Sequence, residues 1–580
     1  MYHGRLLASN RGQQGCPLMG PLFCLTRRRM WEEARANLQG PPPEFEPEFA
    51  DDGFSGGTLL SVWASFEQER ALAAKYGIRF DFAKTTLYLL AGEHFEGDLR
   101  PFRELGIRIV TGCDVRMLQV PVAGKPEHFA TWQRDAQQEL SKAFEAVEQL
   151  PHRHVAFHLL QQCFGFNKIS YYCRSIPRSC IEPFLDWYAL RMRESFSHIL
   201  GSDVSDAQWQ QAALPPKLGG MGLADGRLIV AGTVISQADI AFLSSWKQCM
   251  PIIAGILPTG RAGDGGAHLR SAMTILSQYF PDLDQQEQPK SSLLVQKLQQ
   301  ETADQLISAA TLSERVRLHA CRAPWANGWI TTTPSLTEDT FMPNVAFQDS
   351  VSMRLGMTVF QDDEGCPFCH QISDRHGRHA ISCMKVGTHT KVHHSLRDCL
   401  YRLAQEANLR PQLEASGLLP DAPQRRPADV LLPTTNLLKQ TSWRRYSSLA
   451  LDCAVVSPFA ISAPARATEE PAATAKAYAE HKRRAQETAR QCATQNIGFQ
   501  PIIFEMLGGC DPETASFLNG LCQDHDGVQH RRPGSCRRLL QTRVAFLLQR
   551  HIGQTLMKYR RAQAKSGNED AGRYLNYINS

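Results

Sequence analysis

The chain has no apolar run long enough to cross a bilayer, so a membrane-spanning protein is not expected. Its first residues, MYHGRLLASNRGQQG, lack the order of charged, apolar and small residues that marks a secretory signal peptide. No internal repeat is visible along the sequence. The formal net charge is only +5 over 580 residues, so overall charge does not select a class of partner.

The chain also lacks the dense cysteine spacing of a small disulfide-stabilised protein. Its 17 cysteines are odd in number and scattered, which indicates a reducing compartment and leaves a few of them as candidates for metal binding. A chain of this length exceeds what one hydrophobic core holds, so several domains are expected. Mixed helix and strand patterns predict a multidomain α+β protein.

Basic residues concentrate near the C-terminus. From residue 530 onward, acids occur only at Glu569 and Asp570. Apolar residues recur there at helical spacing, at Leu539, Leu540, Val544, Leu547 and Leu548. Two interpretations remain open, a solvated amphipathic helix or a helix that contacts phosphates.

Local patterns predict mainly helix over residues 126–250 and an α/β arrangement in the last third of the chain. The predicted order there is helix 394–409, strands 428–433 and 448–458, helix 473–492 and strand 499–507.

Two adjacent aspartates, Asp51 and Asp52, end the stretch FADD and precede a glycine-rich run. Alone they could be an acidic turn. Gln14 and Gly15 lie upstream in NRGQQGCPLMG, however, and Lys84 lies downstream in FDFAKTTLYLL. This order resembles the palm of reverse transcriptases from non-LTR retrotransposons. The resemblance implies that both aspartates are catalytic Mg²⁺ ligands on a hairpin, and that the other three residues serve template and nucleotide binding.

The resemblance is incomplete at its start. The family carries a further catalytic carboxylate on a strand before the Gly-Gln-Gly turn, and its fingers lie upstream of that strand. This chain begins at Met1, close to the turn, and has Cys16 where relatives usually carry Asp. The chain is therefore expected not to polymerise unaided, unless Met1 lies inside a longer reading frame. The helical residues 126–250 are similar to the family's thumb.

A cysteine and histidine cluster occupies GCPFCHQISDRHGRHAISC. Two cysteines separated by two residues can reach one ion from a tight turn, and a later histidine and cysteine complete a tetrahedral, structural Zn²⁺ site. The predicted ligands are Cys366, Cys369, His379 and Cys383. His376 is a near alternative to His379, and His370 is a weaker one. For the whole cluster the alternative is buried free cysteines with satisfied histidines.

Three acids follow this cluster. Glu414 precedes a predicted strand, Asp429 begins it, and Asp452 enters the next strand. Their order resembles the PD-(D/E)xK nuclease core, in which acids hold Mg²⁺ against the scissile phosphate and a lysine positions or activates water. The resemblance implies catalytic roles for these acids and for Lys482 on the following helix, with Lys476 as the second choice.

Two departures from that core are visible. Ala428 is inserted in RPADV, and LDCAVV lacks a lysine two residues after its acid. Both occur in retrotransposon restriction-like endonucleases, where the lysine has moved to the next helix. Glu505 is a weaker acidic candidate, because a residue in such an apolar strand is more often paired structurally. The alternative for the set is solvated carboxylates and a basic helix face.

Together these features resemble the C-terminal part of a non-LTR retrotransposon reverse transcriptase polyprotein. The predicted domains are a partial palm (1–125), a helical thumb (126–250), a helical connector (251–355), a zinc knuckle (356–400), an α/β restriction-like endonuclease (401–525) and a basic C-terminal helical tail (526–580). The resemblance implies an RNA template and a DNA target as partners, Mg²⁺ at both catalytic sites and action in the nucleus. The endonuclease is expected to be more intact than the RNA-directed DNA polymerase. The alternative is a non-catalytic, nucleic-acid-binding relic of a transposable element.

Overall fold

Helices alternate with small sheets along the chain, which places the protein in the mixed α+β class. The computed structural model describes residues 19–49, 52–89, 97–111, 116–121, 129–230, 233–256, 263–285, 290–460 and 462–565. Within these ranges, no helix combines the length and the apolarity that crossing a membrane requires. The chain divides into two units, residues 1–135 and 136–580.

The first unit combines helices with three two-stranded sheets. Its helices are α1 (Met19–Ala36), α2 (Leu59–Ala73) and α3 (Arg100–Glu104). Its strands are β1 (Glu48–Phe49), β2 (Asp52–Gly53), β3 (Thr86–Leu89), β4 (Arg108–Thr111), β5 (Arg116–Met117) and β6 (Val120–Pro121). The pairs β1–β2 and β5–β6 are antiparallel, whereas β3 and β4 are parallel.

One arginine fastens the β1–β2 hairpin to the helices. Arg27 of α1 lies 2.6 Å from the carboxylates of both Glu48 in β1 and Glu69 in α2. Its side chain is only 11% exposed, so these contacts are screened less than surface ion pairs. They hold the hairpin that contains Asp52 against α1 and α2.

The second unit begins with a helical region, and α4 crosses the boundary from the first. Its helices are α4 (Ala130–Glu148), α5 (Arg153–Phe164), α6 (Ser170–Ser175), α7 (Arg178–Leu200), α8 (Asp206–Ala213), α9 (Gln237–Ile256), α10 (Gly263–Ser277), α11 (Ser291–Ala309), α12 (Leu312–Arg322) and α13 (Asn344–Leu355), with the hairpin β7 (Arg227–Val230) and β8 (Thr233–Ser236). The longest of these, α7, buries residues at three- and four-residue spacing, which is the pattern of a core-facing helix. It ends at Gly201, whose φ of +69° suits the left-handed turn after a helix.

The rest of this unit is built around a four-stranded sheet in the order β11–β12–β13–β14. The strands of that sheet are β11 (Gln412–Leu413), β12 (Val430–Pro433), β13 (Ser448–Val456) and β14 (Ile497–Glu505). A separate two-stranded hairpin precedes it, formed by β9 (Glu364–Gly365) and β10 (Ile372–Ser373). The helices of this part of the unit are α14 (Arg378–Ser382), α15 (His389–Glu406), α16 (Ala473–Arg484), α17 (Thr488–Thr494), α18 (Pro512–Val528) and α19 (Ser535–Lys565). The first three sheet strands are antiparallel, whereas β14 runs parallel to β13 and therefore needs the helical crossover.

Side-chain alternation in β13 assigns the two faces of this sheet. Leu449, Leu451 and Cys453 join the core formed with α15, α18 and α19. Ala450 packs with Cys492 of α17 on the other face, and alternation puts residue 452 on that second face too. The helices that connect β13 to β14 therefore lie on the same face of the sheet as the side chain of Asp452.

The crossover differs from the single helix predicted over residues 473–492. Two helices occur instead, because Gln486 and Glu487 adopt left-handed backbone conformations with φ near +50°. Arg425 donates hydrogen bonds to the Gln486 carbonyl and to the Thr488 hydroxyl at this break. The sequence pattern of strands and helices does not predict this break, because the contact joins residues that are far apart in the sequence.

The basic C-terminal segment forms a helix that belongs to the core, whereas the two interpretations left open from the sequence, a solvated helix and a phosphate-contacting one, both placed it at the surface. About half of α19 is buried, including the polar side chains of Gln549, His551 and Arg560. Gly553 meets Ala346 of α13 so closely that an added Cβ would lie 2.7 Å from the alanine Cβ. The basic residues of this helix are therefore not all available to phosphates.

Removing the Arg560 guanidinium is expected to destabilise the second unit strongly. Arg560 and Asp349 form a buried two-bond pair, with N–O distances of 2.6 and 2.8 Å. Arg560→Ala leaves a buried carboxylate uncompensated, which costs about 3–5 kcal/mol. Urea unfolding of the purified chain measures this loss, and Arg561→Ala at the exposed neighbouring position is the matched control. Equal midpoints for the two variants would contradict the expectation.

Candidate functional site

Two carboxylates lie side by side on the two central strands of the four-stranded sheet, one just before β12 and one in the middle of β13. Val430 pairs with Leu451, so Asp429, just before β12, lies beside Asp452 of β13. The Asp429 N–H donates to the Leu451 carbonyl at 2.9 Å, and Asp429 Oδ2 accepts the Cys453 N–H at 2.7 Å. Strand pairing therefore brings together two acids that are 23 positions apart in the sequence.

Lys482 completes this group from the crossover helix α16. Its Nζ lies 3.0 Å from Asp452 Oδ1, and both side chains are mostly buried. Lys476, the second choice from the sequence, lies instead 4.0 Å from Glu470 and is half exposed. The structure thus places Lys482, and not Lys476, against the acidic pair.

The charges in this group perturb one another. Burial raises the pKa of Asp452, Lys482 opposes that rise, and the neighbouring Asp429 adds to it. Burial lowers the pKa of Lys482, but the charge of Asp452 and its hydrogen bond to Lys482, together with smaller contributions from Tyr478 and Asp429, outweigh it and the net shift is upward. Two partly buried carboxylates side by side favour a bound cation, since a cation relieves their mutual repulsion.

His393 belongs to the site but was not singled out from the sequence. This residue of α15 places Nε2 3.2 Å from Asp429 Oδ2, and the hydrogen bond raises the histidine pKa. Its position in the sequence could have indicated this, because it lies three residues before Leu396 and therefore on the side of the helix that faces the sheet core. His393 holds the carboxylate of Asp429 in place from the helix side.

Glu414 lies next to the site in the backbone but its carboxylate has other partners. Its N–H donates to the Asp429 carbonyl at 3.0 Å. Its side chain forms ion pairs with Arg397 and with Arg426, the latter at 3.0 Å. The carboxylate of the predicted ligand Glu414 is therefore paired with two arginines and is not part of the group formed by Asp429, Asp452 and Lys482.

Glu505 has a structural position at the end of β14. Its side chain is 1% exposed, and Oε1 accepts the Ala475 N–H at the start of α16 at 3.2 Å. Burial raises its pKa to about 7. This weaker acidic candidate therefore anchors the helix that carries Lys482.

The cysteine and histidine cluster forms a second group. Cys366 and Cys369 lie in the β9–β10 hairpin, His379 is in α14, and Cys383 follows that helix. One ligand atom from each of the four lies within 4.8 Å of the others. The Cys369 Sγ to His379 Nε2 distance is 3.3 Å, and the Cys366 to Cys383 sulfur distance is 3.9 Å. These spacings suit four ligands around one ion of tetrahedral preference.

The alternative histidine points elsewhere. His376 Nδ1 lies 3.3 Å from the Met357 carbonyl, so it is bound to the backbone. Asp374 positions His379 by accepting its N–H at 2.9 Å. Gly377 makes the turn between them with a φ of +74°, where an added Cβ would collide with Val359. The local chain thus favours His379 over His376 as the fourth ligand.

The thiols of this cluster sit in contrasting surroundings. Burial raises the pKa of Cys366, but the N–H groups of Phe368 and Cys369 and the side chains of His379 and Tyr559 together outweigh it and lower that pKa to about 6. Burial raises the pKa of Cys383 to about 11. A thiolate at Cys366 is therefore favoured even before a metal binds, which assists metal capture.

The candidate residues of the first unit are described only in part. Gln14, Gly15 and Asp51 lie outside the described residues. Asp52 begins β2, where it is exposed and pairs with Phe49 across the hairpin. Lys84 has a side chain that is 86% exposed, with Nζ 3.9 Å from Asp81. The described part thus shows the hairpin but not the complete carboxylate group.

Comparisons with known proteins give no family assignment: no family model matches the chain, and a search of curated proteins finds no match. The motifs and the geometry of these two groups therefore carry the functional proposal.

Proposed function

We propose that the second unit contains a Mg²⁺-dependent DNA endonuclease site formed by Asp429, Asp452 and Lys482. The observation that carries the proposal is the convergence of two acids from neighbouring central strands with one lysine of the crossover helix, with Lys482 3.0 Å from Asp452. Their side chains are partly exposed, so a substrate can reach them. This group has the residue types that metal-assisted phosphodiester cleavage requires.

The residues present fit a Mg²⁺ ion, which prefers hard oxygen ligands and uses few carboxylates. Asp429 and Asp452 would hold it, and the ion would supply Lewis-acid activation of water and of the scissile phosphate. His393 keeps Asp429 oriented through its hydrogen bond. Lys482 offers a positive charge and N–H donors beside Asp452, which suits positioning the attacking water or a phosphate oxygen.

The wider proposal is that the chain derives from a non-LTR retrotransposon polyprotein. The motif order supports it: a partial palm, a helical thumb and connector, a zinc knuckle and a restriction-like nuclease. The nuclease would nick a DNA target, and the palm would have used an RNA template in the nucleus. Bound Zn²⁺ at the knuckle would brace the nuclease, since Cys366 and Cys383 share a core with α19.

The first test of the nuclease is a nicking assay on supercoiled DNA with the full chain. Conversion to the open-circular form is expected with Mg²⁺ and not with EDTA. DNA binding in a gel-shift assay at low salt, without any nicking in Mg²⁺ or Mn²⁺, would overturn the nuclease proposal. That outcome would leave the non-catalytic nucleic-acid-binding relic as the better description.

A further inference from the structure

A second cluster of metal-binding residue types lies where α18 meets α19, and it shares no residue with the acidic site or the knuckle. His525, Asp526 and Cys536 bring one ligand atom each to within 4.8 Å of one another. Cys522 lies three residues before His525 on α18. All four residues are buried, and none is more than 4% exposed. The cluster therefore offers a thiol, an imidazole and a carboxylate in one buried place, and a second buried thiol lies on the same helix.

One histidine nitrogen of this cluster is buried and lacks a hydrogen-bond partner among the described residues. His525 Nε2 lies 3.1 Å from Glu406 Oε2 of α15, whereas Nδ1 is buried without a hydrogen-bond partner among the described residues. A buried ring nitrogen with no partner is unfavourable. A cation bound at Nδ1 would satisfy it. Glu406 would then act as the carboxylate that commonly stands behind a metal-bound histidine and fixes its tautomer.

The backbone already holds these ligands in place. Asp526 Oδ1 accepts the Cys536 N–H at 2.9 Å, and Oδ2 accepts the Gly534 N–H at 2.8 Å. This carboxylate thus fixes the start of α19 against the end of α18. Each of its oxygens keeps a second lone pair that can point to a cation.

We propose that Cys522, His525, Asp526 and Cys536 bind one Zn²⁺ ion. Thiolate and imidazole ligands select zinc over Mg²⁺, which prefers oxygen ligands only. Four protein ligands with no open position define a structural site rather than a catalytic one. A disulfide between Cys522 and Cys536 is the competing arrangement, but it would leave His525 Nδ1 without a partner. The ion would tie α18 to α19 and, through Glu406, to α15.

The test is the zinc content of the full chain. The protein is purified under reducing conditions, and its zinc is measured by inductively coupled plasma mass spectrometry. Two ions per chain are expected in the wild type, and one in each of Cys536→Ser and Cys369→Ser. Cys492→Ser is the matched control, because Cys492 is buried in the same sheet domain in a different cluster, and it should keep both ions. Equal zinc in Cys536→Ser and the wild type would overturn the proposal.

If the Cys536→Ser chain fails to fold, the zinc content of Cys369→Ser decides between the outcomes. Cys369→Ser removes a knuckle ligand only, so one remaining ion in that variant supports the second site and none overturns it. Alkylation of free thiols followed by peptide mass analysis distinguishes the competing arrangement. A Cys522–Cys536 disulfide in the reduced preparation, with one knuckle-bound ion, would also overturn the proposal.

Discussion

Asp452→Asn is expected to abolish Mg²⁺-dependent nicking while leaving the chain folded. The substitution keeps the size of the side chain but removes a charge from the proposed metal site, where Asp452 already bonds to Lys482. A loss of about 10³-fold in rate, equal to about 4 kcal/mol of barrier, is expected for such a ligand. The rate of open-circle formation under single-turnover conditions measures it.

Asp421→Asn is the matched control for this result, because Asp421 is an exposed acid of the same domain outside the site. Lys482→Gln should also lose activity, whereas Lys476→Gln should retain it, since only Lys482 contacts Asp452. Circular dichroism shows whether each variant folds. Full activity in folded Asp452→Asn would remove that residue from the reaction.

Loss of the knuckle ion is the second large effect expected. His379→Ala should remove one zinc and lower the free energy of unfolding of the surrounding core by at least about 3 kcal/mol, because structural zinc binding contributes directly to folding. The reason lies in the packing: Cys366 and Cys383 belong to one cluster with Ile552 and Leu556 of α19. Zinc content and urea midpoints measure the two effects.

His370→Asn is the control for the knuckle prediction, because His370 is exposed in the same loop and has a positive φ that asparagine tolerates. It should keep the ion and the midpoint of the wild type. His376→Gln separates the two histidine assignments. Loss of zinc in His376→Gln but not in His379→Ala would show that the ligand had been assigned to the wrong histidine.

Much of the candidate site follows from local sequence pattern. Apolar runs predict β12 and β13, and the acid just before β12 and the acid within β13 are visible without any structure. Lys482 could be favoured because one helix separates two predicted strands. The position of His393 before Leu396 indicates that it faces the sheet, but its partner could not be anticipated, since the contact depends on how α15 packs against Asp429, 36 residues away.

The role of α19 shows where sequence pattern fails. Its apolar spacing gives one stripe, which is what an amphipathic surface helix also shows. The buried polar face depends on partners elsewhere in the chain, above all Asp349, which is 211 residues from Arg560. A charged residue that is paired in a core cannot be told from a solvated one by composition alone.

The same helix has a consequence for how the protein is made. Residues of α19 close the cores of both the sheet domain and the knuckle, and they come after every other member of those cores in the sequence. The acids, the lysine and all four knuckle ligands are synthesised earlier and must wait for it. A chain cut short before residue 535 would therefore carry every residue of the proposed nuclease site but lack the helix that completes both cores, and it is expected not to hold that site together.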